Sequence, residues 1–463
     1  MAVTPDQYVP QSKDNTNLGN LLQIAFTDGI VYQNSENFSD WDMITKNKVS
    51  DRQARTQAFM LQTELGAAAS QFVGQGYGLK FPKGQQTKQD EYDAKMKQIS
   101  TTVEIEMDLI DRAAKSEKYV DPLAHEINSK VISQKRMLSI ALHGDGTGVL
   151  GKASSSIDAD LVTIEFDNAI TSGTSFVNAN SYGGERWCQY GDLLVTAAVD
   201  GSSANAQIYK VVEKDRESDS VVCEVYDANG AKVGSPAAVP AGEVLIYRAG
   251  QRTKADLSDD ATVKAADLNS STEAMVGFDT LYSNDGRTVH GIKMKGSTSA
   301  TVHSVNGALD ISTFQRAVSK VKNRVGSDKY SYKQALSSFE AIDYLIESNE
   351  ADRRLVDIAK QERGATGFGY VHGSDTIKLQ DSEFAKSDRM LLLPESAKQK
   401  AVCEFYGTDI YNVKAGSQDT FLARDGDGDR IGVIQKYMVG RVTLLSRHPA
   451  AALVIDKFTI GAV

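Results

Sequence analysis

From Asp121 to Gly144 the apolar positions recur at helical spacing. Leu123, Ile127, Val131, Leu138 and Leu142 share one face, with Lys130, Lys135 and Arg136 elsewhere. Asp121 can cap the first turn and Pro122 fits inside it, where a missing N–H costs nothing. Gly144 is a natural left-handed stop, so the pattern predicts a helix of about 22 residues, roughly 33 Å long. It runs directly into the glycine cluster GDGTGVLG, residues 144–151.

Ahead of it the pattern changes twice. Asn17 to Asp28 predicts a short helix with Leu18, Leu21, Leu22 and Ala25 on a stripe, and the Gln- and Ala-rich stretch from Asp51 to Ser70 reads as helical too. Residues 74–98 are polar and glycine-rich, with no apolar face. Val103, Ile105, Met107 and Leu109 then alternate with Glu104, Glu106 and Asp108, a period-two strand with an acidic outer face. A polar excursion returning on a strand reads as a β-hairpin arm that cannot bury itself and lies on a neighbour, or else as a surface loop.

Beyond the glycine cluster, apolar runs of strand length (161–166, 192–199, 207–213, 221–226 and 244–247) alternate with turns such as Asp200-Gly201-Ser202. No helical period interrupts them, which predicts a small antiparallel barrel or sandwich. Helices return at Asp310–Val325, with Phe314, Val318, Val321 and Val325 on one face, and at Ser338–Glu347, with Ser338 as N-cap. Thr376–Leu379 and Met390–Leu393 read as buried strands, and residues 437–460 as two apolar strands around Arg447-His448-Pro449.

A chain of 463 residues exceeds one ordinary core, and its 41% hydrophobic and 24% charged content is that of a soluble multidomain protein. Thirty-seven glycines against 8 prolines suit a β-rich chain. The net charge of −10 argues against a surface that grips nucleic acid throughout, yet is compatible with a container that encloses it. Cys188, Cys223 and Cys403 are three, and widely spaced, so they read as buried free thiols. The absence of an apolar leader or an 18-residue apolar run predicts a chain made in a reducing cytoplasm, with no membrane partner.

Three motifs tempt a catalytic reading. Gly146 to Lys152 has the GxxxxGK spacing of a phosphate loop, but a helix precedes it, β sequence follows, and Ala153 stands where Ser or Thr should bind magnesium. His125-Glu126 begins an HExxH signature, but Ser129 takes the second histidine's place. Asp425, Asp427 and Asp429 have calcium-loop spacing, but Arg430 and Lys436 replace the required Gly and Glu. The six histidines show no nucleophile pattern, so the expectation is no catalytic residue, no metal site and no cofactor.

The order of features (polar hairpin arm, long helix ending in a glycine turn, terminal pair of apolar strands) resembles the tailed-bacteriophage major capsid proteins of the Hong Kong 97 type. GFDTLYSNDGRTVHGIKM (277–294) and SDTIKLQDSEFAKSDRMLLLPESAK (374–398) are similar to axial-domain segments of that family. The resemblance implies an α+β fold divided into an N-terminal arm (1–66), an extended loop (67–102) and a peripheral domain with a spine helix (103–150 and 431–463). An axial domain (251–430) would complete it, and 151–250 would be an inserted β domain. It further implies assembly with itself into hexamers and pentamers that close an icosahedral shell around double-stranded DNA, without sequence-specific binding. Portal and scaffolding proteins, and decoration proteins, would be its partners, in a virion assembled in the host cytoplasm. The rival readings are a β-rich fibre, spike or surface-layer protein and, third, a hydrolase.

Overall fold

A computed structural model describes residues 40, 44–50, 55–64, 88–107, 122–158, 160–166, 184–198, 207–215, 220–227, 231–234, 236, 244–248, 274–325, 331–350, 368–372, 375–395, 403–408, 411–412, 421–424 and 430–459. In chain order the first elements are β1 (Thr45–Val49), β2 (Thr56–Glu64), β3 (Lys88–Lys95), β4 (Lys97–Glu106) and α1 (Pro122–His143). Six strands follow: β5 (Val149–Asp158), β6 (Leu161–Phe166), β7 (Leu193–Ala198), β8 (Ile208–Asp215), β9 (Ser220–Tyr226) and β10 (Val244–Arg248). Then come α2 (Phe278–Leu281), β11 (Thr288–Val289), β12 (Ile292–Lys293), β13 (Thr301–Ala308), α3 (Ile311–Val325), β14 (Ser331–Ser337) and α4 (Phe339–Glu350). The remainder is strand: β15 (Phe368–His372), β16 (Asp375–Asp381), β17 (Arg389–Glu395), β18 (Cys403–Thr408), β19 (Tyr411–Asn412), β20 (Phe421–Arg424), β21 (Arg430–Ser446) and β22 (Leu453–Thr459).

The 17-residue β21 organises one sheet. Along one edge it pairs with β4, from Val433↔Glu106 to Val442↔Lys97. Along the other it meets β20, β19 and β18 in succession, with β1 added in parallel outside β18. The expected alternation in β4 is present: Val103 and Ile105 are buried, while Glu104 accepts a 2.6 Å hydrogen bond from Gln435. The strand stops at Glu106, however, and Met107 is exposed.

Residues 149–248 close a six-stranded antiparallel barrel in the order β10-β5-β6-β9-β8-β7, with β7 returning to β10. All five strands expected in this stretch are present. The sixth, β5, was not expected, because KASSSID carries no apolar alternation. Gly151, part of the tempting phosphate loop, sits in β5, where an added Cβ would lie 2.5 Å from the Phe166 ring. The barrel leaves no sheet edge open, and its interior is apolar, with Val162, Ile164, Tyr209, Cys223 and Leu245 buried.

The second large sheet runs β13-β22-β17-β14-β16-β15, mixed in direction. One face packs under α3 and α4 through Phe314, Val318, Ala341 and Leu345 against Ala335, Met390, Leu392 and Ile455. The other face contributes Leu336, Leu391, Leu393 and Val454 to a central core shared with β18, β21 and α2. Burial on both faces explains why Met390–Leu393 and Ala451–Ile455 are continuous apolar runs. Both helices begin as expected. Thr313 N–H donates to the Asp310 carboxylate at 2.6 Å, and Ala341 N–H to Ser338 Oγ at 3.3 Å.

Two expectations change. Asp51–Ser70 does not read out as helix: Thr56–Glu64 is a strand, paired from Thr56↔Lys95 to Glu64↔Lys88. Its Gln- and Ala-rich composition favours helix locally, and pairing with β3 overrides that weak preference. The two terminal strands also part company. β21 belongs to the first sheet and β22 to the second, so 431–463 divides between two layers, and β18–β20 join β21 rather than the segments before them. The helix expected at Asn17–Asp28 and the Asp425–Asp429 cluster lie outside the described residues.

Candidate assembly surfaces

β2 and β3 form a two-stranded ribbon separate from every other sheet among the described residues. Nine residues of strand give it a length of about 30 Å. Its base is anchored. Tyr92 and Ala94 are buried in the central core, whereas Arg55, Thr56, Ala58, Glu91 and Lys95 are exposed. Asp93 N–H donates to the His290 carbonyl at 3.0 Å, Met96 N–H to the Arg55 carbonyl at 2.8 Å, and Tyr92 tilts against the His290 ring at 4.9 Å.

His290 is the post behind the ribbon. It sits at φ 52° in the tight β11–β12 turn and is fully buried. Its Nε2 lies 2.9 Å from the Leu444 carbonyl; a carbonyl only accepts, so Nε2 carries the proton. Burial pushes its pKa down to about 4, the Leu444 bond opposing that and Lys97 adding to it, so the ring is neutral near pH 7.

The end of α1 is the second built region. The helix is half-buried or exposed over residues 126–133 and sinks into the protein only from Gln134, which bonds Thr101 of β4. Ile140 then reaches the barrel core and Leu142 the central core, so one helix end ties two bodies together. Gly146 and Gly148, both at φ 81°, turn the chain into β5. The short helix α2 lands on the α1 terminus so closely that a Cβ on Gly277 would lie 2.3 Å from the Gly144 carbonyl, 2.5 Å from that of Ala141 and 2.6 Å from that of Leu142.

The loop between β16 and β17, residues 382–388, laces this junction together with Arg389. Trp187, buried in the barrel's core, donates its Nε1–H to the Phe384 carbonyl at 3.0 Å. Arg136 of α1 pairs with Glu383 at 3.0 Å and lies over the Phe384 ring. Asp279 of α2 takes Lys386 and Arg389 (2.5 Å) together. Burial pushes the Lys386 ammonium down to about 7, with Arg389 adding to the effect, and raises the Asp388 carboxyl. Lys386 is enclosed by the junction, and Asp388 is half-buried. Sequence reasoning marked 374–398 by its resemblance but not these ion pairs, and Gly277 carried no signal beyond its place before Phe278.

One arrangement imitates a catalytic triad. His143 Nε2 lies 3.2 Å from Asp40 Oδ2 and 3.3 Å from Ser382 Oγ. Both partners share one ring nitrogen, whereas a relay needs the acid and the nucleophile on opposite nitrogens. Buried against Phe278, the three serve as a polar pin. All three cysteines are free and buried, their thiols pushed up by desolvation, Cys188 and Cys403 to about 12. Among the described residues no group of three or more His, Cys, Asp or Glu is placed to hold a metal, and no helix is long and apolar enough to cross a membrane.

No family model and no curated protein matches this chain. Solved structures do. The capsid asymmetric unit of cyanophage A-1(L) is 10% identical, covering 96% of this chain and 99% of that one, with a TM-score of 0.48. The capsid of a native GTA particle is 9% identical over 95% and 97% of the two chains, at a TM-score of 0.42. The SrpI encapsulin complex of Synechococcus elongatus PCC 7942 is 9% identical over 95% of each, at 0.38. At these scores the functional reading rests on the chain's own geometry.

Proposed function

We propose that this chain is the major capsid protein of a tailed phage, a subunit that assembles through hexamers and pentamers into an icosahedral shell around packaged double-stranded DNA. The observation that carries the reading is the β2–β3 ribbon. A lone two-stranded ribbon is marginal in water. Here Tyr92 and Ala94 are buried in the chain's own core while Arg55, Thr56, Ala58, Gln89 and Glu91 are exposed, so a neighbouring subunit is the natural support for that exposed surface.

Other features agree. The first half of α1 leaves Ile127, Val131 and Ile132 only half-covered, an apolar strip that a neighbour would complete. Among the described residues, the polar clusters of the interior join the barrel, α1, α2 and the second sheet, and none sets an accessible nucleophile beside an acid–base pair. In this reading the β21 sheet with α1 is the peripheral domain, the β13–β17 and β22 sheet with α3 and α4 is the axial domain, and β5–β10 is the inserted domain. The layered helices of the axial domain weigh against a fibre or spike. Portal, scaffolding and decoration proteins would be further partners, and the protein would reside in the virion after assembly in the host cytoplasm.

The test removes the ribbon without touching its anchor. Leu61 and Asp90 are cross-strand partners. Deleting 61–90 and joining Met60 to Glu91 through a two-residue Asn-Gly turn therefore keeps Tyr92 and Ala94 in place. The variant is expected to remain a folded subunit or capsomer that forms no stable shell by sedimentation velocity. Normal shells from it would refute the role given to the ribbon.

A further inference from the structure

The two helices on the second sheet carry opposite charge. In α3 every charged residue is basic (Arg316, Lys320, Lys322 and Arg324), and in α4 every charged residue is acidic (Glu340, Asp343, Glu347 and Glu350). At 100° per residue, Arg316, Lys320 and Arg324 fall within an arc of about 80°, and so do the four acids of α4. Arg316, Lys320 and Arg324 are exposed, and with Ser312, Gln315, Ser319 and Asn323 the first two line an open hollow of about 540 Å³. Asp310, the acid nearest this stripe in sequence, is committed to capping α3. On α4, Asp343 is exposed and Glu340 is exposed with Arg186 of the barrel at 3.2 Å.

Their placement makes the segregation informative. Both helices feed the same core, so they lie on the same face of the sheet. α3 covers β13 and β22 at one edge, whereas α4 covers β16, next to the other edge. Strands spaced about 4.8 Å apart put roughly 15 Å of sheet between β22 and β16. Lys320 and Arg324 are held over the β13 edge by bonds to the Val302 carbonyl (3.0 Å) and Thr301 Oγ1 (3.1 Å). A layer that is positive on one flank and negative on the other complements a copy of itself placed side by side, in the head-to-tail manner that closes rings.

We propose that the basic face of α3 docks on the acidic face of α4 in a second copy of this chain, forming the repeating lateral contact of the capsomer ring. The inference rests on the capsid reading and adds the contact that builds its rings. Charge complementarity selects this occupant: the chain supplies both halves of the pair, at the flanks a cyclic repeat would bring together.

The experiment reverses each half. Arg316→Glu with Lys320→Glu, and separately Asp343→Lys with Glu347→Lys, are each expected to weaken subunit association at least ten-fold by sedimentation velocity, with circular dichroism unchanged. The chain carrying all four substitutions is expected to recover association, since the contact is restored with its signs exchanged. Should a reversal fail to fold, the milder pair Arg316→Gln with Lys320→Gln should weaken association in the same direction, and raising salt from 0.1 to 1 M should weaken the unaltered chain. Either reversal assembling normally, or the fourfold variant failing to recover, overturns the proposal. So does a basic-face reversal that assembles but loses retained nucleic acid, which would give that face to a polyanion. An unaltered chain that forms no oligomer would instead defeat the capsid reading itself.

Discussion

Replacing Gly277 by alanine tests the junction between α1 and α2 with one methyl group. Gly277 has φ −102° and ψ −170°, an extended conformation open to any residue, so the substitution adds no backbone strain. The cost is steric. The new Cβ would meet three carbonyl oxygens of the α1 terminus at 2.3, 2.5 and 2.6 Å, each well inside contact distance. All three belong to backbone that is fixed by helix hydrogen bonds and by the glycine turn, so no side chain can swing aside. Overpacking of this kind costs about 1–3 kcal/mol, and more where the neighbours cannot yield, so about 3 kcal/mol is expected. That corresponds to a fall of roughly 6–12 °C in the transition of the affected domain. Gly234→Ala is the control, because a Cβ there meets nothing within 4 Å. Differential scanning calorimetry of both variants decides the matter. A Gly277→Ala protein melting within about 1 °C of the parent would refute the close approach of α2 to α1.

The remaining predictions concern titration and reactivity. The His290 pKa is about 4 in the folded protein against 6.5 for the free side chain, so the unfolded chain binds the extra proton between these values. Stability is therefore expected to be fully present above pH 6.5 and to fall by about 3 kcal/mol as pH drops to 4; His290→Gln should flatten that slope in urea titrations at successive pH values. An unchanged slope would show that the ring is not the titrating group. The buried thiols of Cys188, Cys223 and Cys403 should resist an aromatic disulfide reagent at pH 8 and all react in denaturant; rapid labelling of the native protein would contradict their burial.

Where a segment carried its own period, the sequence was sufficient. α1, α3 and α4 lie where the apolar spacing placed them, α4 with the expected Ser338 cap, and five of the six barrel strands sit on the apolar runs between turn clusters. Long-range partnership was harder to read. Thr56–Glu64 becomes strand only because Lys88–Lys95 pairs with it, and β5 closes the barrel although its serines show no alternation. β21 and β22 look alike in sequence yet enter different sheets, because the short turn at Pro449–Ala451 carries the chain from one layer to the other. Polar composition marked 88–95 as part of an arm but did not reveal its pairing with 56–64; the Asp279, Lys386 and Arg389 cluster was not legible either, since Asp279 lies more than a hundred residues from the other two.

The central claim, that this chain builds a closed shell, is tested most directly by negative-stain microscopy of the purified protein after expression, alone and with a candidate scaffolding partner. The account predicts rings of five or six subunits or closed icosahedral particles, with the β2–β3 ribbon slow to exchange amide hydrogen only in the particles. A uniformly monomeric population under every condition, with ribbon exchange unchanged by concentration, would contradict it.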